Sequence, residues 1–160
     1  MRYPEPSELL DQLAYLVDEL RLMAPLMVRV PRPLLEARPM LDTPSILETL
    51  GSRITAEEAL IQELEKHPSK PPSNLSVSAT SEASWNRFPV DELLYRLQEA
   101  RQRTVSLLEE VPVELWEPEK ETGSLAAFVY AWIQEDVHAL RYIGERLRES
   151  QLTLRPPSPL

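Results

Sequence analysis

This 160-residue chain contains no cysteine, only three glycines and two histidines, and no long uninterrupted apolar run. Without cysteine it forms no disulfide, no zinc–thiolate site and no cysteine nucleophile. The scarcity of glycine argues against glycine-rich phosphate loops, and the G-x-S-x-G motif is missing. No stretch reaches the roughly 18 apolar residues that a membrane-spanning helix needs. The sequence therefore lacks the common catalytic motifs and predicts no membrane segment.

Basic residues are also few, and the formal net charge is −9. Arginines alternate with glutamates along the predicted helices instead of forming a basic patch, so we expect no nucleic-acid partner. The first residues, MRYPEPSELLDQ, lack the basic start and apolar run of a secretory signal, which predicts a cytoplasmic location. No cofactor is expected from the composition.

Sixteen prolines are the feature that the chain has in excess. They cluster between four amphipathic segments with helical periodicity, which predicts an all-α four-helix bundle. The predicted helices are Pro6–Ala24 with Ser7 as N-cap, Thr43 or Ser45 to Lys66, Pro89–Glu110 and Ser124–Leu147. We expect one domain over residues 1–150, with a short helical turn at Pro33–Ala37, a flexible crossover at 67–88 and a tail at 151–160.

The two halves of the chain share a motif order. Val30-Pro31 with Leu34 recurs as Val111-Pro112 with Leu115, and the run from Pro39 through Thr43 to Ser45-Ile46 recurs as Pro118, Thr122 and Ser124-Leu125. This order predicts two similar helical hairpins packed with pseudo-twofold symmetry.

Four charged residues fall on or beside the apolar stripes of the predicted helices: Arg53, Glu57, Arg101 and Asp136. One interpretation is a buried ion-pair network that fixes helix register. The other is a polar core pocket that binds a small anionic molecule, because arginine pairs well with carboxylate and phosphate. Neither interpretation assigns a catalytic residue.

The two histidines are separate features. His67 precedes Pro68 at a helix end and is predicted to cap it, whereas His138 is predicted at the surface or at an interface. No histidine pair has the spacing of a zinc site.

Two runs resemble the motifs of a known family: Ser45–Glu48 opening the second helix, and Glu135–Ile143 on the fourth. Together with Leu115-Trp116 and Ser124-Leu125, they resemble the DinB-like (YfiT-like) four-helix-bundle superfamily over about residues 6–148. The family patterns are W-S-x-x-E-x-x-x-H and H-D-x-x-H-x-x-Q-I.

The resemblance implies the bundle fold and a degenerate metal site. The three metal-binding histidines of the family would fall on Ser52, Glu135 and Ala139, so we expect no bound metal. Metal-bearing members of the family include thiol-dependent transferases and hydrolases, and family members often dimerise through bundle faces.

Three hypotheses about function follow, and enzymatic activity stays open among them. The chain is a metal-free bundle that binds a small anionic molecule in its core and forms a homodimer through the first and third helices. Alternatively, it is a metal- or thiol-dependent S-transferase or hydrolase with unusual ligands such as Glu57 and Glu135. A third hypothesis is a protein-interaction scaffold whose docking segment is the crossover.

Overall fold

The computed structural model describes residues 3–68, 72, 83–116 and 124–154, and every regular element in these ranges is helical. The α-helices are α1 Pro6–Arg29, α2 Arg32–Glu36, α3 Ile46–Lys66, α4 Val90–Glu109 and α5 Leu125–Leu154, with short 3-10 segments at Ala83–Arg87 and Val113–Leu115. The predicted all-α class is confirmed. Most of the predicted crossover, residues 155–160 of the predicted tail, and Pro118 and Thr122 of the repeat lie outside the described residues.

The four long helices form a bundle in which α4 and α5 each pack against both α1 and α3. Among the described residues, α1 and α3 therefore lie diagonally opposite each other, as do α4 and α5. The two predicted hairpins are therefore wrong in the arrangement of their helices. The two long helices of each half do not pack side by side, because each buries its apolar stripe against helices of the other half. None of the helices in the described ranges is both long and apolar enough to cross a membrane.

The buried apolar side chains form two clusters, one toward each end of the bundle. The first cluster includes Leu20, Met27, Leu47, Leu50, Leu93, Leu97 and Ile143. The second includes Leu9, Leu13, Leu60, Leu108, Trp116, Val129 and Trp132. The two clusters meet near the middle of α3, α4 and α5. Four charged residues lie at that level: Arg53, Glu57, Arg101 and Asp136.

Helix α1 runs five residues beyond its predicted end, through Pro25 to Arg29. A proline inside a helix removes one backbone hydrogen bond, which normally costs about 3 kcal/mol or more. Here the exposed Pro25 is followed by Met27, which is fully buried in the first cluster, so tertiary packing outweighs the local penalty. Ser7 is not the N-cap: Glu5 is, with Pro6 as the first helical residue.

Two other boundaries are refined by the structure. Helix α3 begins with Ser45 as N-cap rather than Thr43, because the Ser45 hydroxyl and the Glu48 carboxylate form a reciprocal capping box. Thr43 instead closes a turn by accepting from the Met40 N–H at 2.8 Å. Helix α5 continues beyond the predicted end at Leu147 to Leu154, into the predicted tail.

The repeated motifs form the same local hydrogen bonds in both halves. The Val30 and Val111 N–H groups each bond back three residues, and the Leu34 and Leu115 N–H groups each bond to the proline three residues before them. Ser45 and Ser124 both accept a backbone N–H from the third residue after them, at 3.0 and 3.1 Å. The sequence repeat therefore corresponds to a structural repeat at these positions.

Trp85 and Phe88 pack together at the end of the crossover, with ring centroids 5.5 Å apart. Both rings lie under the guanidinium of Arg96, which adds a cation–π contact to the apolar packing. The Trp85 ring sits directly against Gly51 in α3, where any Cβ would overlap the indole. A glycine at this position is therefore what lets the 3-10 segment close on α3.

We predict that Gly51→Ala destabilises the protein by about 1–3 kcal/mol, because the added methyl group must displace Trp85 or α3. Urea unfolding followed by tryptophan fluorescence measures the change. Gly144→Ala in α5 is the matched control: its Cβ meets nothing within 4 Å. That control should leave stability unchanged or raise it by up to about 1 kcal/mol. Equal stability of the two variants would contradict the described packing of Trp85.

Candidate functional site

The centre of the bundle is occupied by the side chain of Arg101 on α4, which is only 2% exposed. Its guanidinium donates from Nε to Glu57 Oε1 at 2.7 Å and from Nη2 to Glu57 Oε2 at 3.1 Å. The same Nη2 also donates to Asp136 Oδ2, and Nη1 donates to the Leu13 carbonyl at 2.9 Å. Arg101 thus links α4 to α1, α3 and α5 at one level.

Glu57 on α3 is fully buried and receives its hydrogen bonds from the other half of the chain. Besides Arg101, the indole Nε1 of Trp132 donates to Glu57 Oε2 at 2.9 Å. Burial by itself would raise the pKa of Glu57, but the charge and hydrogen bonds of Arg101, assisted by Trp132, outweigh it and hold that pKa below its ordinary value. The same pairing raises the pKa of Arg101 despite its burial. Both groups therefore stay ionised at neutral pH.

Asp136 on α5 is shared between two guanidinium groups. Arg53 donates to Asp136 Oδ1 from Nε at 3.0 Å and from Nη2 at 2.6 Å, while Arg101 holds the other carboxylate oxygen. Arg53 also lies over the Trp132 ring, with Cζ 5.1 Å from the centroid. Its Nη1 reaches outward to Glu135 at 3.3 Å, a side chain that is 70% exposed. The cluster thus extends from the core to the surface along Arg53.

We call Arg53, Glu57, Arg101 and Asp136 the central charge cluster. The structure confirms that these four residues, singled out from the helical stripes, converge. Two arginines and two carboxylates balance in charge, and each carboxylate bonds directly to a guanidinium. The hydrogen bond from Trp132 to Glu57 was not predicted from the sequence. The available signal was the position of Trp132 one turn before Asp136 on the same helix.

The three positions where the family resemblance would place metal ligands do not form a ligand set. Ala139 offers no donor, Glu135 points to the surface and bonds Arg53, and Ser52 is partly exposed. Across the described ranges, no three His, Cys, Asp or Glu side chains are placed to hold a metal ion together. The residues present therefore do not fit the metal that the resemblance would suggest, and we derive no reaction step through one.

The histidines lie away from the cluster. His67 is the C-cap residue of α3, where its backbone N–H bonds to Glu63 at 2.9 Å, and His138 is exposed on α5. Both positions agree with the sequence predictions.

A cavity of about 20 Å³ adjoins the cluster. Three of its walls are the charged side chains Arg53, Arg101 and Asp136, and the rest are apolar: Leu16, Val17, Leu20, Leu50, Leu97, Ala139, Leu140 and Ile143. A volume of this size holds roughly one water molecule. A larger anion would therefore enter only if the ion pairs opened.

A second set of hydrogen-bonded polar side chains lies at the end of the bundle near α2. Arg38 pairs with Glu48 through both carboxylate oxygens, and Ser45 donates to Asn86 Oδ1 at 2.6 Å. The hydrogen bond from Arg38 holds the pKa of Glu48 at about 2. Because this pKa lies below the ordinary 4.5, the pair stabilises the fold fully above that pH and loses its contribution as pH falls toward 2.

Comparison with protein-family models, with curated proteins and with solved structures found no match for this chain. The site is therefore interpreted from its own geometry.

We predict that Arg101→Met destabilises the protein by about 3–5 kcal/mol, because Glu57 stays buried without its main cation and Asp136 keeps only Arg53. Arg103→Met, two residues further along α4, breaks only an exposed pair with Glu65 and should cost at most about 1 kcal/mol. Chemical unfolding of both variants measures the difference. If the two variants were equally stable, Arg101 would not be the buried centre described here.

Proposed function

We propose that this chain is a non-catalytic, DinB-like helical-bundle protein that acts by binding another protein surface, and that its partner is a second copy of itself. The observation that carries the proposal is a contrast between core and surface. The central charge cluster satisfies its own charges, whereas the groove between α1 and α4 exposes apolar and aromatic side chains.

We call this groove the α1–α4 seam. It is lined by Ala14, Val17, Asp18, Arg21, Ala24, Pro25, Val28 and Arg29 from α1, and by Asp91, Leu94, Tyr95, Gln98, Arg101, Gln102, Val105 and Ser106 from α4. Val28 and Tyr95 are 64% and 60% exposed, and Tyr15 and Leu22 on α1 are also exposed. Exposed apolar patches rimmed by charged residues are typical of protein-binding surfaces.

The distribution of charge along α1 favours a second copy as the partner. Its exposed acidic residues Glu8, Asp11 and Asp18 precede its exposed basic residues Arg21 and Arg29 along the helix. Two copies related by a twofold axis can pack α1 antiparallel, which brings the acidic residues of each copy toward the basic residues of the other. The family resemblance is compatible with the same proposal, since family members often dimerise through bundle faces.

A small anionic ligand in the core is the second candidate. It is favoured by the cavity beside Arg53 and Arg101, with Arg53 reaching the surface. An anion there would have to replace Asp136 as the partner of both guanidinium groups. This exchange is a larger change than docking at the exposed seam, which needs no rearrangement of the core.

We predict that the wild-type chain sediments as a dimer of twice 18.4 kDa and that Val28→Glu and Tyr95→Glu weaken the dimer at least about tenfold. A glutamate at either position would add a charge that the interface would have to remove from water. Val113→Glu is the matched control, because Val113 is 66% exposed and lies off the seam. Sedimentation velocity over a concentration series measures all four proteins. A monomeric wild type, or dimers that tolerate both seam substitutions, would contradict the proposal.

A further inference from the structure

Helix α1 has a second stripe of residues beside the stripe that faces the core. The core stripe consists of its buried residues: Leu9, Leu13, Leu16, Val17, Leu20 and Met27. The second stripe advances by alternating steps of four and three residues, is exposed throughout and lines the α1–α4 seam: Ala14, Asp18, Arg21, Pro25 and Val28. Alternating steps of four and three are the heptad spacing by which one helix packs along another. Helix α1 therefore has one face for the core and a separate face suited to a further helix.

Two opposite charges lie at the centre of this second stripe. Asp18 and Arg21 are neighbours on it, and within the described ranges neither side chain is part of an ion pair. The other members of the stripe, Ala14, Pro25 and Val28, are uncharged. A helix that packs on the stripe covers both charges, and a covered charge needs an opposite charge near it. The packed helix must therefore offer a cation near Asp18 and an anion near Arg21.

A second copy of α1 meets this condition in an antiparallel arrangement. A twofold axis that lies level with the midpoint between Asp18 and Arg21 brings Asp18 of each copy opposite Arg21 of the other. The same axis brings Ala14 of each copy opposite Pro25 of the other, so a small side chain faces a larger ring. Each pairing occurs twice. The charged and the uncharged positions of the two stripes are then both matched.

Other arrangements that keep the two stripes in contact lose the match. If one copy is shifted by one heptad, Asp18 comes opposite Ala14 or opposite Val28 of the other copy. In a parallel pair each residue faces its own counterpart, so Asp18 meets Asp18 and Arg21 meets Arg21. Like charges that face each other across an interface are repulsive. The sequence of the stripe therefore favours a single register.

We propose that the homodimer forms by antiparallel packing of α1 on α1 of the second copy, in the register that pairs Asp18 of each copy with Arg21 of the other. This inference rests on the proposed function, because it assigns the register of the same seam. The two ion pairs lie at the middle of the contact, and Ala14 faces Pro25 on either side of them. Asp18 and Arg21 thus determine that the seam recognises its own copy.

The test uses two charge-reversal variants of the full chain, Asp18→Arg and Arg21→Asp. In a dimer of either variant alone, like charges face each other at both pairs, so each variant should dimerise at least about tenfold more weakly than the wild type. An equimolar mixture places opposite charges at both pairs again. We therefore expect heterodimers with an affinity within about threefold of that of the wild-type dimer. Sedimentation velocity measures the affinities, and native mass spectrometry with one variant isotopically labelled identifies the heterodimer.

Matched controls are Glu65→Arg and Arg103→Asp, which change the net charge by the same amounts at an exposed ion pair off the seam. Both controls should dimerise like the wild type, alone and mixed. Seam variants that dimerise like the wild type, or a mixture as weak as its components, would overturn the register. The seam dimer itself would then still be judged by Val28→Glu and Tyr95→Glu. A monomeric wild type would overturn the proposed function and the register together.

Discussion

The ion pairs of Arg101 hold the bundle together at its centre. A guanidinium buried this deeply is costly to remove from water, and it is tolerated because four hydrogen bonds to two carboxylates and a backbone carbonyl replace its hydration. Two of these bonds go to Glu57 on α3, one goes to Asp136 on α5 and one goes to Leu13 on α1. The helices therefore cannot slide or rotate independently without separating opposite charges in an apolar environment. The cluster fixes one register, and the apolar residues on either side supply most of the burial.

This arrangement separates the roles of core and surface. The apolar clusters above and below the charges fill the interior, and the cavity beside the charges has room for roughly one water molecule. Of the exposed apolar and aromatic side chains, Val28 and Tyr95 lie on the α1–α4 seam between charged residues. The proposed homodimer would form through this seam, and the buried charges lie in the core.

The helical periodicity was sufficient to predict the all-α class, and it placed all four residues of the central charge cluster on or beside the inward stripes of their helices. The sequence offered both Thr43 and Ser45 as the cap of α3, and the structure has Ser45 with Glu48. The end of α1 was predicted too early because the penalty of Pro25 is local and visible in the sequence. Met27, which keeps α1 helical beyond Pro25, packs against residues that are distant in the sequence. The diagonal placement of α1 and α3 and the bond between Trp132 and Glu57 depend on how helices are rotated against one another, which a single sequence does not specify. The size of the cavity depends on those same rotations.

The most direct test of the central claim is NMR of the arginine side-chain N–H groups in the intact protein, with Arg103 as the exposed reference. The account predicts that the Arg101 guanidinium gives separately resolved Nη signals, because its rotation is blocked by its partners, and that its protons exchange with solvent as slowly as buried backbone amides. Averaged Nη signals for Arg101, with exchange as fast as that of Arg103, would show that the guanidinium is not held between Glu57 and Asp136 and would contradict the account.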